Sequence, residues 1–192
     1  MNWNWVFINI NKNEKISIIL ICSLLTIVSC INKKEDAGEK IRSSFLKRKD
    51  NIVLPDSLPN WVNGELYIAK ILPTDIALIH TLDITCDGCV RILENLIGYF
   101  RKIEEIYGVK IIIIASSAYM DERIKNELVG YPYPIILDEF ESFKLKNKII
   151  RDDILCSFLI KDSKVIEVGD LKDVSFQNEV ENLLKLKKVP EN

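Results

Sequence analysis

The chain has 192 residues, of which 48% are hydrophobic and 28% are charged, and its formal net charge is −2 at pH 7. This length predicts one folded domain with additional segments at its ends. Seven Gly and six Pro exclude a fibrous or low-complexity chain. The mild negative charge, without a basic stripe, gives no indication of nucleic-acid binding.

The first segment, residues 1–29, has the pattern of an export signal. Lys12 and Lys15 precede an uncharged, largely apolar run over 16–29, and Cys30 follows it. A short apolar run that comes after positive charge and ends in a small residue is typical of a secretory signal. The run is also too short to span a hydrocarbon core of ~30 Å comfortably. A membrane anchor that is not cleaved is the alternative.

The end of this segment, Ile27-Val28-Ser29-Cys30, resembles the lipobox of bacterial lipoproteins. The resemblance implies cleavage before Cys30 and lipidation of its sulfur. The lipid would anchor the protein to a bacterial membrane in the cell envelope, on the periplasmic side or at the cell surface. The polar stretch that follows predicts a flexible tether. We therefore expect a signal peptide over 1–29, a lipidated tether over 30–50 and a folded domain over 51–192.

Five cysteines are present, and their positions in the chain indicate three different roles. Cys22 lies inside the signal and Cys30 takes the lipid. Cys86, Cys89 and Cys156 remain in an exported compartment that permits disulfides. A C-x-x-C pair with one additional cysteine suits a redox couple better than a structural framework. A static disulfide and inert thiols are the alternatives.

Strand and helix patterns alternate in the folded part. Apolar runs predict strands over 75–82, 109–115, 134–137 and 154–160, and a return strand over 165–168 after a tight turn. Helical spacing predicts helices over 90–106, 121–129 and 174–186, the last with Val174, Phe176, Val180, Leu183 and Leu184 inward. Asp138 and Glu141 predict a capping box for a helix that reaches about Lys146. This order predicts helices on both faces of a mixed sheet.

This order, with the cysteine pair between the first strand and its helix, resembles the thioredoxin-like superfamily, in particular its exported thiol–disulfide oxidoreductase and peroxiredoxin-like branch. Three stretches carry the resemblance: 79–93 around the pair, Tyr-Pro-Ile-Ile-Leu-Asp over 133–138, and Phe-Leu-Ile-Lys-Asp-Ser-Lys-Val over 158–165. It implies an α/β fold with a central mixed β-sheet flanked by helices. It also implies a redox-active centre at Cys86 and Cys89, a protein dithiol or disulfide as substrate, and no cofactor.

Two departures from the superfamily pattern are visible. Leu155 stands where the superfamily usually has a cis-proline, and Thr85 stands where a Trp usually precedes the first cysteine. The cis-proline loop lies beside the active disulfide and helps to receive substrate. Its loss makes a non-catalytic binding module an alternative function. Because a non-proline cis bond costs ~3 kcal/mol, we expect Leu155 to be trans.

The resemblance also implies roles for individual residues. Cys86 precedes the predicted helix and Cys89 lies in its first turn, where partial positive charge stabilises a thiolate. Cys86 is then the attacking sulfur and Cys89 the resolving one. His80, the only histidine, lies where the superfamily often has a buried acid, which implies a proton shuttle; a core histidine is the alternative. Cys156 follows the cis-proline position and is a candidate third thiol near the site, or a small buried apolar residue.

Soft-metal binding is a second class of function. The stretch Ile-Thr-Cys-Asp-Gly-Cys over 84–89 resembles the copper-carrying loop of heavy-metal-associated domains. Two thiolates at this spacing suit Cu(I). Such a domain needs a hairpin after its first helix, whereas here a strand with four consecutive Ile leads into another helix. Cu(I) binding by Cys86 and Cys89 stays open as the alternative.

Overall fold

The computed structural model describes residues 39–47, 51–55, 58–69, 75–84, 87–116, 122–149 and 156–188. The chain divides into two compact units, Met1–Ser43 and Ser44–Asn192. Within the first unit, residues 39–43 are helical, and Arg42 pairs with Glu39 at 3.7 Å. No helix in the described ranges is long and apolar enough to cross a membrane.

Helix α1 spans residues 39–47 and so lies in the segment for which a flexible tether was expected. Its charges dominate the sequence pattern, but one aromatic side chain gives it a packing partner. Phe45 and Phe158 both belong to the second unit, and their ring centroids lie 5.5 Å apart. Phe45 is half-buried in this contact, and packing of an aromatic ring stabilises a short helix in a way that charge and composition alone do not predict.

The second unit contains, within the described residues, one sheet of seven strands. The strands are β1 Leu58–Val62, β2 Glu65–Ala69, β3 Ile76–Asp83, β4 Lys110–Ser116, β5 Ile135–Leu137, β6 Ser157–Lys161 and β7 Lys164–Gly169. The helices are α2 Asp87–Tyr107, α3 Glu122–Glu127, α4 Ser142–Lys146 and α5 Val174–Lys188. The order across the sheet is β2-β1-β5-β4-β3-β6-β7. β3, β4 and β5 are parallel and the other pairs are antiparallel, which confirms the predicted mixed sheet.

Both faces of the central strands are covered, which explains their continuous apolar runs. The four isoleucines 111–114 of β4 are all buried. On one face, Leu159 of β6 lies in the main core cluster with residues of α2 and α5. On the other face, the ring centroid of Phe158 lies 5.8 Å from that of Phe143 in α4. Helices therefore flank the sheet on both sides, as the sequence predicted.

Helix α2 begins at Asp87, one turn before the apolar spacing from which it was predicted. Its inward residues are those the spacing indicated, and Leu93, Phe100 and Ile103 are fully buried. The helix ends at Tyr107. Gly108 follows with a φ of +67°, which turns the chain out of the helix, and its N–H donates to the Glu104 carbonyl at 2.9 Å. Because the helix begins at Asp87, Cys89 lies in its first turn, where the sequence predicted it.

The predicted capping box of α4 was wrong in its pairing. Asp138 does cap the helix: its carboxylate accepts hydrogen bonds from the N–H of Ser142 at 2.9 Å and of Phe143 at 2.7 Å. Glu141 makes no side-chain cap; it has a φ of 50° and pairs with Lys144 at 2.9 Å. Because both oxygens of Asp138 already satisfy the first turn, the reciprocal partner of a capping box is not needed.

The β1–β2 hairpin is absent from the predicted element order. Asn63 and Gly64 form its turn with φ values of 51° and 88°, the conformation that the Asn-Gly pair favours. β1 joins the edge of β5 and buries Trp61 in the main core cluster. Leu66 and Ile68 of β2 are exposed, so no buried apolar run marks this segment as a strand.

Two glycine substitutions test the packing of β7 against α5. A Cβ on Gly169 would lie 2.6 Å from a ring carbon of buried Phe176, whereas a Cβ on Gly98 in α2 would meet nothing within 4 Å. We expect Gly169→Ala to lower the free energy of unfolding by ~1–3 kcal/mol through overpacking. Gly98→Ala should raise it by ~0.5–1 kcal/mol through helix propensity. Urea unfolding measures both, and effects of the same sign would contradict this packing.

Candidate active site

A cavity of about 240 Å³ lies where the carboxyl end of β3 meets the start of α2. The ends of parallel strands are the usual place for sites in α/β sheets. Polar and ionisable side chains from several elements meet here. Its lining residues are His80, Thr81, Leu82 and Asp83 of β3, Cys89 and Ile92 of α2, Lys144 of α4, and Cys156 and Lys172 on either side of the β6–β7 hairpin.

Cys89 lies in the first turn of α2, partly buried, as the sequence pattern predicted. Cys89 is disulfide-bonded in this structure. At a helix N-terminus the first N–H groups have no partner within the helix, and the dipole of a 21-residue helix is positive there. Both features stabilise negative charge on a sulfur at this position. Cys86, Leu155 and Cys30 lie outside the described residues.

His80 is buried, with only 2% of its surface exposed, and it faces the cavity from β3. Its Nδ1 lies 2.8 Å from the Oγ of Ser157, the residue opposite it in the β3–β6 register. Its Nε2 is buried without a hydrogen-bond partner in the described part of the chain. Burial lowers the His80 pKa to about 4, against a weaker opposing effect of Asp170, so the imidazole is neutral at pH 7.

Cys156 directly precedes β6 and is also buried, at 8% exposure. Its Sγ lies 3.7 Å from the Gly169 carbonyl oxygen and 3.8 Å from Ser157 Oγ. The Thr81 N–H donates to the Cys156 carbonyl at 2.7 Å and fixes the backbone. Burial, reinforced by the charge of Asp170, raises the Cys156 pKa to about 12, so this sulfur is a neutral thiol.

Asp170 and Lys172 form an ion pair beside this cluster, with Oδ2 and Nζ 2.9 Å apart. The Lys172 N–H also donates to Asp170 Oδ1 at 2.9 Å. Burial alone would raise the Asp170 pKa, but the hydrogen bonds from Lys172 outweigh it and lower the pKa. The bond to Asp170 in turn raises the Lys172 pKa. Sequence reasoning missed this pair because Asp-Leu-Lys-Asp over 170–173 has the pattern of an ordinary polar turn.

The structure thus gathers three predicted site residues, His80, Cys89 and Cys156, around one cavity. It adds Ser157, which nothing in the sequence indicated, since its link to His80 depends on the pairing of two strands far apart in the chain. Among the described residues, no group of three His, Cys, Asp or Glu side chains is placed to hold a metal ion.

Comparison with protein-family models and with curated proteins finds no match to this chain. Solved structures do match. A thiol-disulfide oxidoreductase from Bacteroides fragilis aligns with a TM-score of 0.51 and 10% identity, over 70% of this chain and 99% of that one. A hypothetical protein from Sinorhizobium meliloti aligns with 0.51 and 17%, over 74% and 90%. AhpC of Enterococcus faecalis aligns with 0.50 and 12%, over 73% and 92%. The chain therefore has the thioredoxin-like fold that its sequence predicted.

Replacement of His80 tests the buried neutral imidazole. A histidine with a pKa of 6.5 when unfolded and about 4 when folded stabilises the fold fully above pH 6.5, and this contribution is lost as the pH falls toward 4. Between pH 7 and pH 5 the unfolding free energy of the wild type should therefore fall by about 2 kcal/mol more than that of His80→Gln. Urea unfolding of both proteins at each pH provides the comparison. An equal fall in both would show that the imidazole is not buried neutral.

Proposed function

We propose that this chain is a thiol–disulfide oxidoreductase that acts through Cys86 and Cys89. The observation that carries the proposal is Cys89 itself: a disulfide-bonded cysteine in the first turn of a long helix, opening on a cavity that also contains His80 and Cys156. We assign Cys86 as its disulfide partner on the C-x-x-C spacing. A structural disulfide has no need of a cavity or of an unpartnered buried imidazole beside it.

The proposed reaction reduces a substrate disulfide. The Cys86 thiolate attacks one substrate sulfur, which breaks the substrate S–S bond and releases one substrate thiolate. The Cys89 thiol then loses its proton, and its thiolate attacks Cys86, forming the Cys86–Cys89 disulfide and releasing the second substrate thiolate. The substrate gains two electrons and the cysteine pair loses two. The reverse sequence oxidises a substrate dithiol.

His80 is proposed as the acceptor of the Cys89 proton. The imidazole is neutral at rest, and its Nε2 has no partner in the described part of the chain, so the nitrogen is free to accept. A thiolate that forms beside it would favour the imidazolium by charge attraction. Cys156 is proposed as a third thiol of the site that stays protonated, because burial disfavours its thiolate.

A redox titration tests the proposed function. The protein is equilibrated in graded mixtures of reduced and oxidised dithiothreitol, and its free thiols are counted by alkylation and mass spectrometry. We expect one reversible two-electron transition, lost in Cys86→Ser and in Cys89→Ser because either change removes the disulfide. Cys156→Ser is the matched control and should keep the transition. A pair that stays oxidised, or stays reduced, across the whole series would contradict the proposal.

We further propose that the protein is exported and held in the bacterial cell envelope by lipid on Cys30. The support is the sequence over 16–30: an apolar run that ends in Ile-Val-Ser-Cys. In bacteria fed a radiolabelled fatty acid, the full chain should incorporate label and partition with membranes. Cys30→Ser should abolish both, whereas Cys22→Ser, a cysteine inside the apolar run, should leave both unchanged. Label retained in Cys30→Ser would disprove this anchoring.

A further inference from the structure

The hydrogen-bond partners around His80 form a short chain that begins at the end of β7 and ends at the cavity. Cys156 Sγ lies 3.7 Å from the Gly169 carbonyl oxygen and 3.8 Å from Ser157 Oγ. Ser157 Oγ in turn lies 2.8 Å from His80 Nδ1. Ser157 has no exposed surface, so these protein groups decide how its hydroxyl is oriented.

The direction of each bond follows from which groups can only donate or only accept. The Gly169 carbonyl and the Asp170 carboxylate are both partners of the Cys156 thiol and both only accept, so the thiol donates on that side and not to Ser157. The Leu171 N–H only donates, and it lies 3.4 Å from Ser157 Oγ, which therefore accepts there. The Ser157 hydroxyl proton then has two possible acceptors: the sulfur of Cys156 or Nδ1 of His80.

The buried Nε2 decides between the two. If Ser157 donated to Nδ1, the neutral ring would carry its proton on Nε2, a buried N–H without an acceptor in the described part of the chain. A buried unpaired N–H is rarer and less favourable than an acceptor with an unused lone pair. If His80 instead donates from Nδ1 to Ser157, the Ser157 hydroxyl donates to the Cys156 sulfur. Each donor in this series of hydrogen bonds then has an acceptor.

We propose that Ser157, oriented by Cys156, is a positioning residue that holds His80 in its Nδ1–H tautomer and so leaves Nε2 without a proton, in a side chain that lines the same cavity as Cys89. The inference rests on the proposed function for its consequence, though not for its geometry. A general base must carry a free lone pair on the nitrogen that faces its proton donor, and the partner of the other nitrogen selects that tautomer. Ser157 thus acts through His80 and not on the sulfurs.

The charged groups around the cavity do not supply an alternative partner that would fix the tautomer. Asp170 and Lys172 are paired with each other at 2.9 Å, and Lys144 is paired with Glu141 at 2.9 Å. Asp83, at the end of β3, also lines the cavity. The only hydrogen bond that the structure gives His80 within the described residues is the one to Ser157.

The single histidine makes the test direct. The full chain is labelled with ¹⁵N-histidine, so the spectrum contains one imidazole. In the oxidised protein at pH 7 we expect a proton-bearing Nδ1 and a proton-free Nε2, the reverse of the tautomer that imidazole prefers in water. Ser157→Ala should move the ring toward the Nε2–H form. Ser116→Ala removes a buried serine opposite Asp83 instead of His80 and should change nothing.

A kinetic measurement links the tautomer to the reaction. Mixed-disulfide resolution in Ser157→Ala should be slower by at least ~10-fold, since general-base catalysis typically contributes 10²–10⁴-fold. Ser157→Thr keeps the hydroxyl and should restore most of the rate. If Ser157→Ala does not fold, the wild-type spectrum still decides, because an Nε2–H form there overturns the inference. A redox-active protein whose His80 is in the Nε2–H form refutes this inference alone. An Nδ1–H form in a protein without a redox transition refutes only the proposed function.

Discussion

The register between β3 and β6 determines which side chains meet beside Cys89. Ile79 lies opposite Phe158 and His80 opposite Ser157, and the Thr81 N–H fixes the Cys156 carbonyl one residue beyond the last pair. A slip of one residue would turn each side chain of β6 to the other face of the sheet. The slip would bury Ser157 where Phe158 now packs, and it would remove the partner of the imidazole. Packing on both faces of the sheet therefore fixes the positions of the side chains around the cavity.

Burial is the strongest influence on the groups in this cavity, and it favours neutral forms. It lowers the pKa of His80 and raises that of Cys156, so both side chains are uncharged at pH 7. The pKa of Asp170 is lowered despite partial burial, because Lys172 donates to both of its carboxylate oxygens. His80 and Cys156 are thus neutral and Asp170 and Lys172 form an ion pair, while Asp83 and Lys144 also line the cavity. In the proposed reaction the Cys89 thiol loses a proton, and the neutral imidazole of His80 is the group proposed to accept it.

The sequence predicted the elements whose patterns are local and missed features that depend on distant contacts. β3 and β4 were predicted from apolar runs, because a strand buried on both faces is mostly apolar. α2 was predicted from helical spacing, because a helix buried along one stripe has apolar residues at that spacing. Val174 was expected to face inward, but it is the first residue of α5 and is 65% exposed. Ser157 and the Asp170–Lys172 pair could not be predicted, because their roles arise from strand register and a loop conformation. Cys89 was identifiable from the C-x-x-C spacing at the start of a predicted helix, and His80 from the resemblance to a superfamily that often has a buried acid at that position.

A histidine suits position 80 because its side chain is almost fully buried. A carboxylate there would have to bury a charge or hold a proton at rest, and either state is costly without partners. A neutral imidazole avoids both costs, provided that Ser157 satisfies Nδ1 and leaves Nε2 as an unused acceptor. Protonation then becomes favourable only when a negative charge forms nearby. In the proposed reaction that charge is the Cys89 thiolate, so formation of the nucleophile and protonation of His80 stabilise each other, and neither would persist alone.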